Sequence, residues 1–130
     1  MKASVVYLLM IFGLSILTTT PAKSEIVHVT DSGNGEARIY VDKDSIIFDR
    51  NFAEASVIYN YKTPSSNEVS SAKKRWKVNC SDRNYMSTEI NVYDLNGIFL
   101  RGNRQPSGWR TITPGAVNAD IYYFICNLRR

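Results

Sequence analysis

Apolar residues recur at every second position in four segments of the chain, and this period constrains the fold more than any other feature. In residues 53–62 the alternation is interrupted only by Ile58. A period of two is typical of a β-strand with one buried face. Four such segments predict an antiparallel sheet with one covered face. The apolar positions that define this face are Ala37, Ile39, Val41, Ala53, Ala55, Val57, Tyr59, Tyr61, Trp76, Val78, Cys80, Met86, Ile90 and Val92.

Turn-forming residues separate these segments, which predicts hairpin connections between the strands. Residues 31–35, 42–45 and 63–67 are rich in Asp, Ser, Asn, Gly or Pro, and these residue types favour turns. Asn96-Gly97 is the strongest hairpin signal of the sequence. It is predicted to join a strand in residues 86–94 to another in residues 98–101.

The C-terminal segment is predicted to form the element that covers the sheet. Thr113-Pro114 is typical of an N-cap followed by proline at the first helical position, and apolar residues then recur at helical spacing. The run in residues 121–125 is also β-prone, so a strand is the alternative. The helical apolar positions are Val117, Ile121, Phe124, Ile125 and Leu128.

The first residues are predicted to be a signal peptide. Lys2 precedes an apolar run in residues 3–17 that is too short for a membrane span. Pro21 follows, and small residues occupy positions 22 and 24, which predicts residues 1–24 as a cleaved signal peptide. A retained anchor helix is the alternative. The domain of residues 25–130 is therefore expected to be periplasmic or secreted, and no cysteine near the cleavage site could accept a lipid anchor.

The chain contains two cysteines, and export would place both in an oxidising compartment. Two cysteines in a small exported domain are expected to pair, so we predict a Cys80–Cys126 disulfide. The long loop that it closes is worth about 4 kcal/mol of stability through loop-closure entropy. A redox-active pair is the alternative, but the sequence has no Cys-x-x-Cys motif. If the segment around Cys126 is helical, the bond ties that helix to the sheet.

Composition and charge exclude several classes of protein. The apolar fraction is 44% and the aromatic fraction is 12%, which excludes a disordered or collagen-like chain. Lys and Arg number 16 against 12 for Asp and Glu, and Lys2 and Lys23 lie in the predicted signal peptide. The remaining basic excess is too small to be typical of a nucleic-acid-binding domain, so we expect no nucleic-acid partner.

The sequence offers little material for catalysis, and we predict that the protein is not an enzyme. His28 is the single histidine and stands in no nucleophile motif. Residues 33–35 lack the third glycine of a dinucleotide-binding loop. Asp42, Asp44 and Asp49 lack the glycine and the terminal glutamate of an EF-hand, so turn formation explains them better than calcium binding. We therefore expect no catalytic residue, no cofactor and no metal.

The candidate binding residues are four basic side chains, Lys73, Lys74, Arg75 and Lys77. Arg75 and Lys77 alternate with Trp76, so they are predicted to line the uncovered face of the sheet while Trp76 packs inward. Two interpretations fit this cluster. It binds an acidic ligand, a glycan or a host protein, or it is a solvated face whose lysines deter edge pairing.

Other surfaces are candidates for binding as well. Three tyrosines on the alternate register are predicted to be exposed, where tyrosine suits a protein interface but is also common in ordinary sheets. The loops are the remaining candidates if the basic strand is only a solvated face. These residues and segments are Tyr40, Tyr85 and Tyr93 and the loops of residues 31–36, 63–71 and 102–108.

The order and spacing of these features resemble the surface-adhesin protein E family of Gram-negative bacteria. The resemblance covers residues 38–126, nearly the whole predicted domain. It rests on a series of short matches rather than on one motif. The residues that carry it are Tyr40-Val41-Asp42, Ser45-Ile46, residues 57–61, Ser71, Lys73, Trp76, Asn79-Cys80, Arg83, Tyr85, Tyr93, Gly97, Trp109, Ile112, Pro114-Gly115 and Cys126.

The resemblance implies an α+β fold: one six-stranded antiparallel sheet with a C-terminal helix packed on one face and tied to it by the disulfide. It also implies a surface adhesin that captures extracellular-matrix and serum proteins of a host and can form a homodimer. The protein is then a non-enzymatic exported binding module that engages a protein partner through its sheet face and loops. The alternative is a periplasmic ligand carrier or small hydrolase with a pocket between helix and sheet.

Overall fold

The computed structural model describes residues 25–64 and 68–129. The predicted signal peptide, residues 1–24, and the centre of the predicted loop, residues 65–67, lie outside the described residues. The sheet and the C-terminal helix are both present, so the predicted α+β architecture is confirmed. The elements are β1 (Ile26–Asp31), β2 (Ala37–Asp49), β3 (Phe52–Tyr61), β4 (Ser71–Asn79), β5 (Asn84–Tyr93), β6 (Phe99–Asn103), β7 (Arg110–Thr111) and α1 (Val117–Asn127).

The sheet is an antiparallel meander in which β1 to β6 lie side by side in chain order. Each strand therefore pairs with its neighbour in sequence, as the predicted hairpins require. The short β7 pairs with the start of β5 at Asn84 and Tyr85, beside the same edge that β6 occupies further along. Among the described helices, none is long and apolar enough to cross a membrane.

The hairpin at Asn96-Gly97 is confirmed. Gly97 has a φ of 78°, in the left-handed region that favours glycine. The carboxylate Oδ1 of Asp94 accepts hydrogen bonds from the backbone N–H groups of Asn96 and Ile98, both at 2.9 Å. The turn is thus held by one aspartate side chain and by the one residue type that takes its backbone conformation without strain.

Gly97→Ala is expected to reduce the free energy of unfolding by about 1 kcal/mol, measured by urea denaturation. A Cβ atom at Gly97 would meet nothing within 4 Å, so the loss is a backbone effect alone. Gly33→Ala is the matched control, because a Cβ atom there also meets nothing within 4 Å and Gly33 has no positive φ. Equal losses from the two substitutions would contradict this explanation.

The core lies between α1 and one face of the sheet. Ile39, Val57 and Val78 on the strands and Ile121 and Ile125 on α1 are all at most 1% exposed. The disulfide Cys80–Cys126 joins the residue after β4 to the last turn of α1, as predicted. The helix-facing side of the sheet is hereafter the covered face, and the opposite side is the open face.

The turn predicted at residues 42–45 is wrong, because β2 continues through it to Asp49. The pairing of β2 with β3 becomes irregular between Asp42 and Ile47 instead. Ser45 Oγ donates to the carbonyl of Asp42 at 2.6 Å and accepts from the N–H of Ser56 at 2.8 Å. The turn-forming side chain of Ser45 here forms hydrogen bonds with backbone groups at a bulge, so the strand bends without ending.

The helix begins later than predicted, at Val117 rather than Pro114. Residues 113–116 form a turn in which the N–H of Ala116 donates to the carbonyl of Thr113 at 3.1 Å. Gly115 has a φ of 80°, which is incompatible with the right-handed helix that Pro114 would otherwise start. The helical N-cap is Ala116, which makes no side-chain capping hydrogen bond.

The predicted facing of β5 is wrong over its first half. The register of β4 with β5 shifts between Arg75 and Trp76 because Thr88 is an extra residue on β5. Tyr85, predicted to be exposed, therefore lies on the covered face and stacks on Trp76 with ring centroids 4.4 Å apart. Met86 pairs with Lys77 and lies on the open face. One bulge moves every side chain before it to the other face of the strand.

Candidate functional site

The four predicted basic residues are divided between the two faces of the sheet. Trp76 is buried on the covered face, as predicted. Lys73, Arg75 and Lys77 alternate with it and lie on the open face. Lys74 lies on the same side of β4 as Trp76 and extends over the ring of Tyr59, with 4.4 Å between Nζ and the ring centroid. Only three of the four residues can therefore act together on one surface.

Arg75 is the fixed member of the open-face row. Its Nη1 donates to the carbonyl of Ser45 at 3.0 Å and to Oγ of Ser56 at 3.2 Å. These hydrogen bonds tie the guanidinium of β4 to the bulge of β2 and to β3. Arg75 thus has a structural role as well as a charge, and its planar group is held in one orientation.

The two lysines of the row are less constrained. Lys73 is exposed, and Nζ of Lys77 lies 5.1 Å from the ring centroid of Phe52. Glu54 is the cross-strand neighbour of Lys77, and Glu89 is that of Arg75. Charges of both signs therefore occur on this face, but neither lysine forms an ion pair with a carboxylate in residues 25–64 and 68–129.

A shallow cavity of about 220 Å³ lies in the middle of the open face. Lys73 and Arg75 supply its positive charge, and Glu89 and Asn91 supply acceptors. Tyr93 lies at its rim and packs edge-on against Phe99, with ring centroids 6.0 Å apart. A mixed polar, basic and aromatic surface of this kind can bind a complementary protein surface through hydrogen bonds and charge pairs.

Tyr40 also lies on the open face. It is on β2, near the β1 edge of the sheet, whereas Tyr93 is on β5, near the β6 edge. The ring centroid of Tyr40 is 5.3 Å from that of His28. Nε2 of His28 lies 2.8 Å from Oδ1 of Asp31 in the same strand. The single histidine of the chain thus lies at the β1 edge, in contact with one carboxylate and one tyrosine ring.

A second, larger cavity of about 510 Å³ lies between α1 and the covered face. Lys74, Trp76 and Tyr85 line it from the sheet, and Arg110 of β7 lines it from the edge. Arg110 carries no signal in the sequence, because β7 has only two residues and shows no periodicity. The sequence predicts this cavity only in outline, as the pocket between helix and sheet of the ligand-carrier alternative.

Comparison with known families decides the classification of the chain. A sequence model of the surface-adhesin protein E family matches residues 27–127. The chain belongs to this family. The match spans nearly all of the described residues, from β1 to the end of α1. No curated protein sequence matched the chain.

Solved structures of protein E share the fold of this family member. Crystal form II of Haemophilus influenzae protein E matches with a TM-score of 0.63 at 17% identity, covering 85% of this chain and 93% of that one. Another structure of Haemophilus influenzae protein E gives a TM-score of 0.60 at 19% identity, covering 85% and 89%. Protein E from non-typeable Haemophilus influenzae gives 0.57 at 17% identity, covering 84% and 80%. At such identities the comparison establishes the shared fold alone.

Proposed function

We propose that this surface-adhesin protein E family member is a non-enzymatic exported binding protein that engages an acidic surface of a protein partner through its open face. Membership of an adhesin family supports binding rather than catalysis. The observation that carries the proposal is the row of Lys73, Arg75 and Lys77 on the face that α1 leaves uncovered. The partners that this proposal favours are extracellular-matrix or serum proteins of a host.

The row has a geometry suited to such a partner. Alternate residues of a strand are about 6.5 Å apart, so the three charges extend over about 13 Å. Arg75 is pre-oriented by Ser45 and Ser56, which lowers the entropy lost when its guanidinium binds a carboxylate. The lysines on either side are long and flexible, so they can adapt to a partner surface. Together they provide one fixed and two adjustable cationic contacts.

Export and self-association complete the proposal. The predicted signal peptide of residues 1–24 would deliver the domain to the periplasm or the cell exterior, and membership of a surface-adhesin family supports such a location. Exposed apolar residues around the β5–β6 hairpin offer a contact for the homodimer that the resemblance implies. Leu95 is 79% exposed and Ile98 is 60% exposed at this hairpin.

The double variant Lys73→Gln/Lys77→Gln is expected to weaken binding to an acidic matrix or serum protein by about tenfold at low salt, because each exposed charge pair contributes up to about 1 kcal/mol. The affinity of the variant should also depend less on salt concentration. Surface plasmon resonance against a panel of purified matrix and serum proteins measures both effects. Arg75 is left unchanged because its hydrogen bonds hold the strands together.

Lys62→Gln/Arg129→Gln is the matched control, since it removes the same charge from exposed positions outside the row. Its affinity should match that of the wild type, and light scattering should give one oligomeric state for all three proteins. Wild-type affinity and wild-type salt dependence in the Lys73/Lys77 variant would refute the proposal. The row would then be a solvated face.

A further inference from the structure

The cavity between α1 and the covered face has the size and lining of a site for a small molecule. Its volume of about 510 Å³ lies within the range of about 300–1,000 Å³ typical of ligand pockets. Tyr85, which stacks on the nearly buried Trp76, forms one wall, and Ile90 adds aliphatic surface. Such a lining accommodates a flat apolar body.

Two positive charges converge on this apolar wall. Lys74 and Arg110 both line the cavity, and neither forms an ion pair with a carboxylate in the part of the chain that the structure describes. Burial, and secondarily the charge of Arg110, lower the pKa of Lys74. Glu89, the open-face neighbour of Arg75, also contributes to the lining of this cavity, and Nε of Arg104 lies 3.4 Å from its carboxylate. An anion beside Lys74 and Arg110 would offset both the burial and the repulsion between them.

The beginning of α1 contributes to the same cavity. Ala116, Val117 and Asn118 line it, and the helix has no side-chain cap. The first N–H groups of a helix lack partners within the helix and carry partial positive charge. The side-chain Oδ1 of Asn118 is buried with no hydrogen-bond partner, while its Nδ2 donates to the hydroxyl of Tyr85 at 3.4 Å. The hydrogen bond to Tyr85 positions the Asn118 amide, and the start of α1 adds partial positive charge to the cavity lining.

We propose that this cavity binds a small aromatic carboxylate, with its ring against Tyr85, beside Trp76, and its carboxylate toward Lys74 and Arg110. The apolar wall selects the ring, and the two cations with the helix N-terminus select the negative charge. The site lies on the covered face, so it goes beyond the proposed function of the open face. Lys73 and Lys77 point away from it, and the two sites can be tested separately.

Isothermal titration calorimetry at low salt tests the site with 2-naphthoate as the probe. Two analogues separate the contributions of the ring and the charge of 2-naphthoate. 2-Naphthalenemethanol keeps the ring without the charge, and acetate keeps the charge without the ring. Both are expected to bind at least about tenfold more weakly than 2-naphthoate. Amide chemical shifts should change at Val117 and Asn118, and the indole N–H shift should change at Trp76. No binding of 2-naphthoate at millimolar concentration, equal affinity for the uncharged analogue, or shift changes confined to the open face would overturn the proposal.

Lys74→Met is expected to weaken 2-naphthoate binding by about tenfold while leaving an unbranched side chain of similar length. Lys73→Met is the matched control, because it removes the same charge from the adjacent residue of β4 on the other face and should retain wild-type affinity. Arg110→Gln is a second test that does not disturb the interior, since Arg110 is exposed. Circular dichroism verifies that each variant is folded. If Lys74→Met fails to fold, the affinity of Arg110→Gln for 2-naphthoate tests the role of the cations. Wild-type affinity in a folded Lys74→Met or in Arg110→Gln would refute the role of these cations.

Discussion

Trp76→Ala is expected to reduce the free energy of unfolding by about 3–5 kcal/mol. The indole is 3% exposed, stacks on Tyr85 with ring centroids 4.4 Å apart, and belongs to the core between the sheet and α1. Its removal deletes a large apolar contact and enlarges a cavity that already exists beside it. For a domain of this size the melting temperature should fall by at least about 10 °C, measured by circular dichroism on the oxidised protein.

Trp109→Ala is the control for this substitution, because it removes the same side chain from the surface. Trp109 is 43% exposed, and its ring centroid lies 6.0 Å from that of Phe52. Its loss should cost less than about 1 kcal/mol, since surface substitutions rarely cost more. Similar melting temperatures for the two variants would contradict the inward packing of Trp76.

The sequence predicts the sheet well where its period is continuous. Ala37, Ile39 and Val41 on β2 and Trp76 and Val78 on β4 are all buried on the covered face, as their alternation predicts. The reason is that a strand without bulges turns every second side chain toward the core. The Asn96-Gly97 hairpin follows equally directly, because its turn requires a residue that tolerates a positive φ.

Bulges limit what alternation can predict. Thr88 adds one residue to β5, and its hydroxyl donates to the carbonyl of Arg75 at 3.2 Å. Nothing in the period of β5 marks this position, so Tyr85 and Met86 were predicted on the wrong faces. At Asp42 and Ser45 the residues that usually make turns stabilise a bulge within β2, because the neighbouring β3 supplies a hydrogen-bond donor at Ser56. Local composition cannot distinguish these two uses of the same side chains.

The two candidate sites differ in how far the sequence predicts them. Lys73, Arg75 and Lys77 share a face because they occupy alternate positions of one strand, which is local information. Lys74 and Arg110 meet only after β7 pairs with the start of β5 and α1 docks on the sheet. Such a convergence depends on tertiary contacts between distant segments, so a pattern along the chain does not contain it.

Cys126→Ala is expected to reduce the free energy of unfolding by about 4 kcal/mol, because the disulfide closes a loop with a sequence separation of 46. The bond fixes the last turn of α1 to the end of β4. The same helix places Ile121, Tyr122 and Ile125 in the core, so loosening its C-terminal end also weakens their packing. Urea denaturation of the variant and of the oxidised wild type measures the loss. The difference in midpoint is converted to free energy with one common m-value, the slope of unfolding free energy against urea concentration.

Reduction of the wild type measures the contribution of the disulfide to the free energy of unfolding independently, because it removes the bond without substituting a residue. Reduced wild type should therefore unfold near the midpoint of Cys126→Ala. The double variant Cys80→Ala/Cys126→Ala should be insensitive to reductant, which excludes an effect of the thiol left at Cys80. Mass mapping without reductant should find one linked pair of peptides containing Cys80 and Cys126. If Cys126→Ala instead unfolds at the midpoint of the oxidised wild type, packing of Ile121 and Ile125 alone holds α1 on the sheet, and the disulfide does not stabilise the fold.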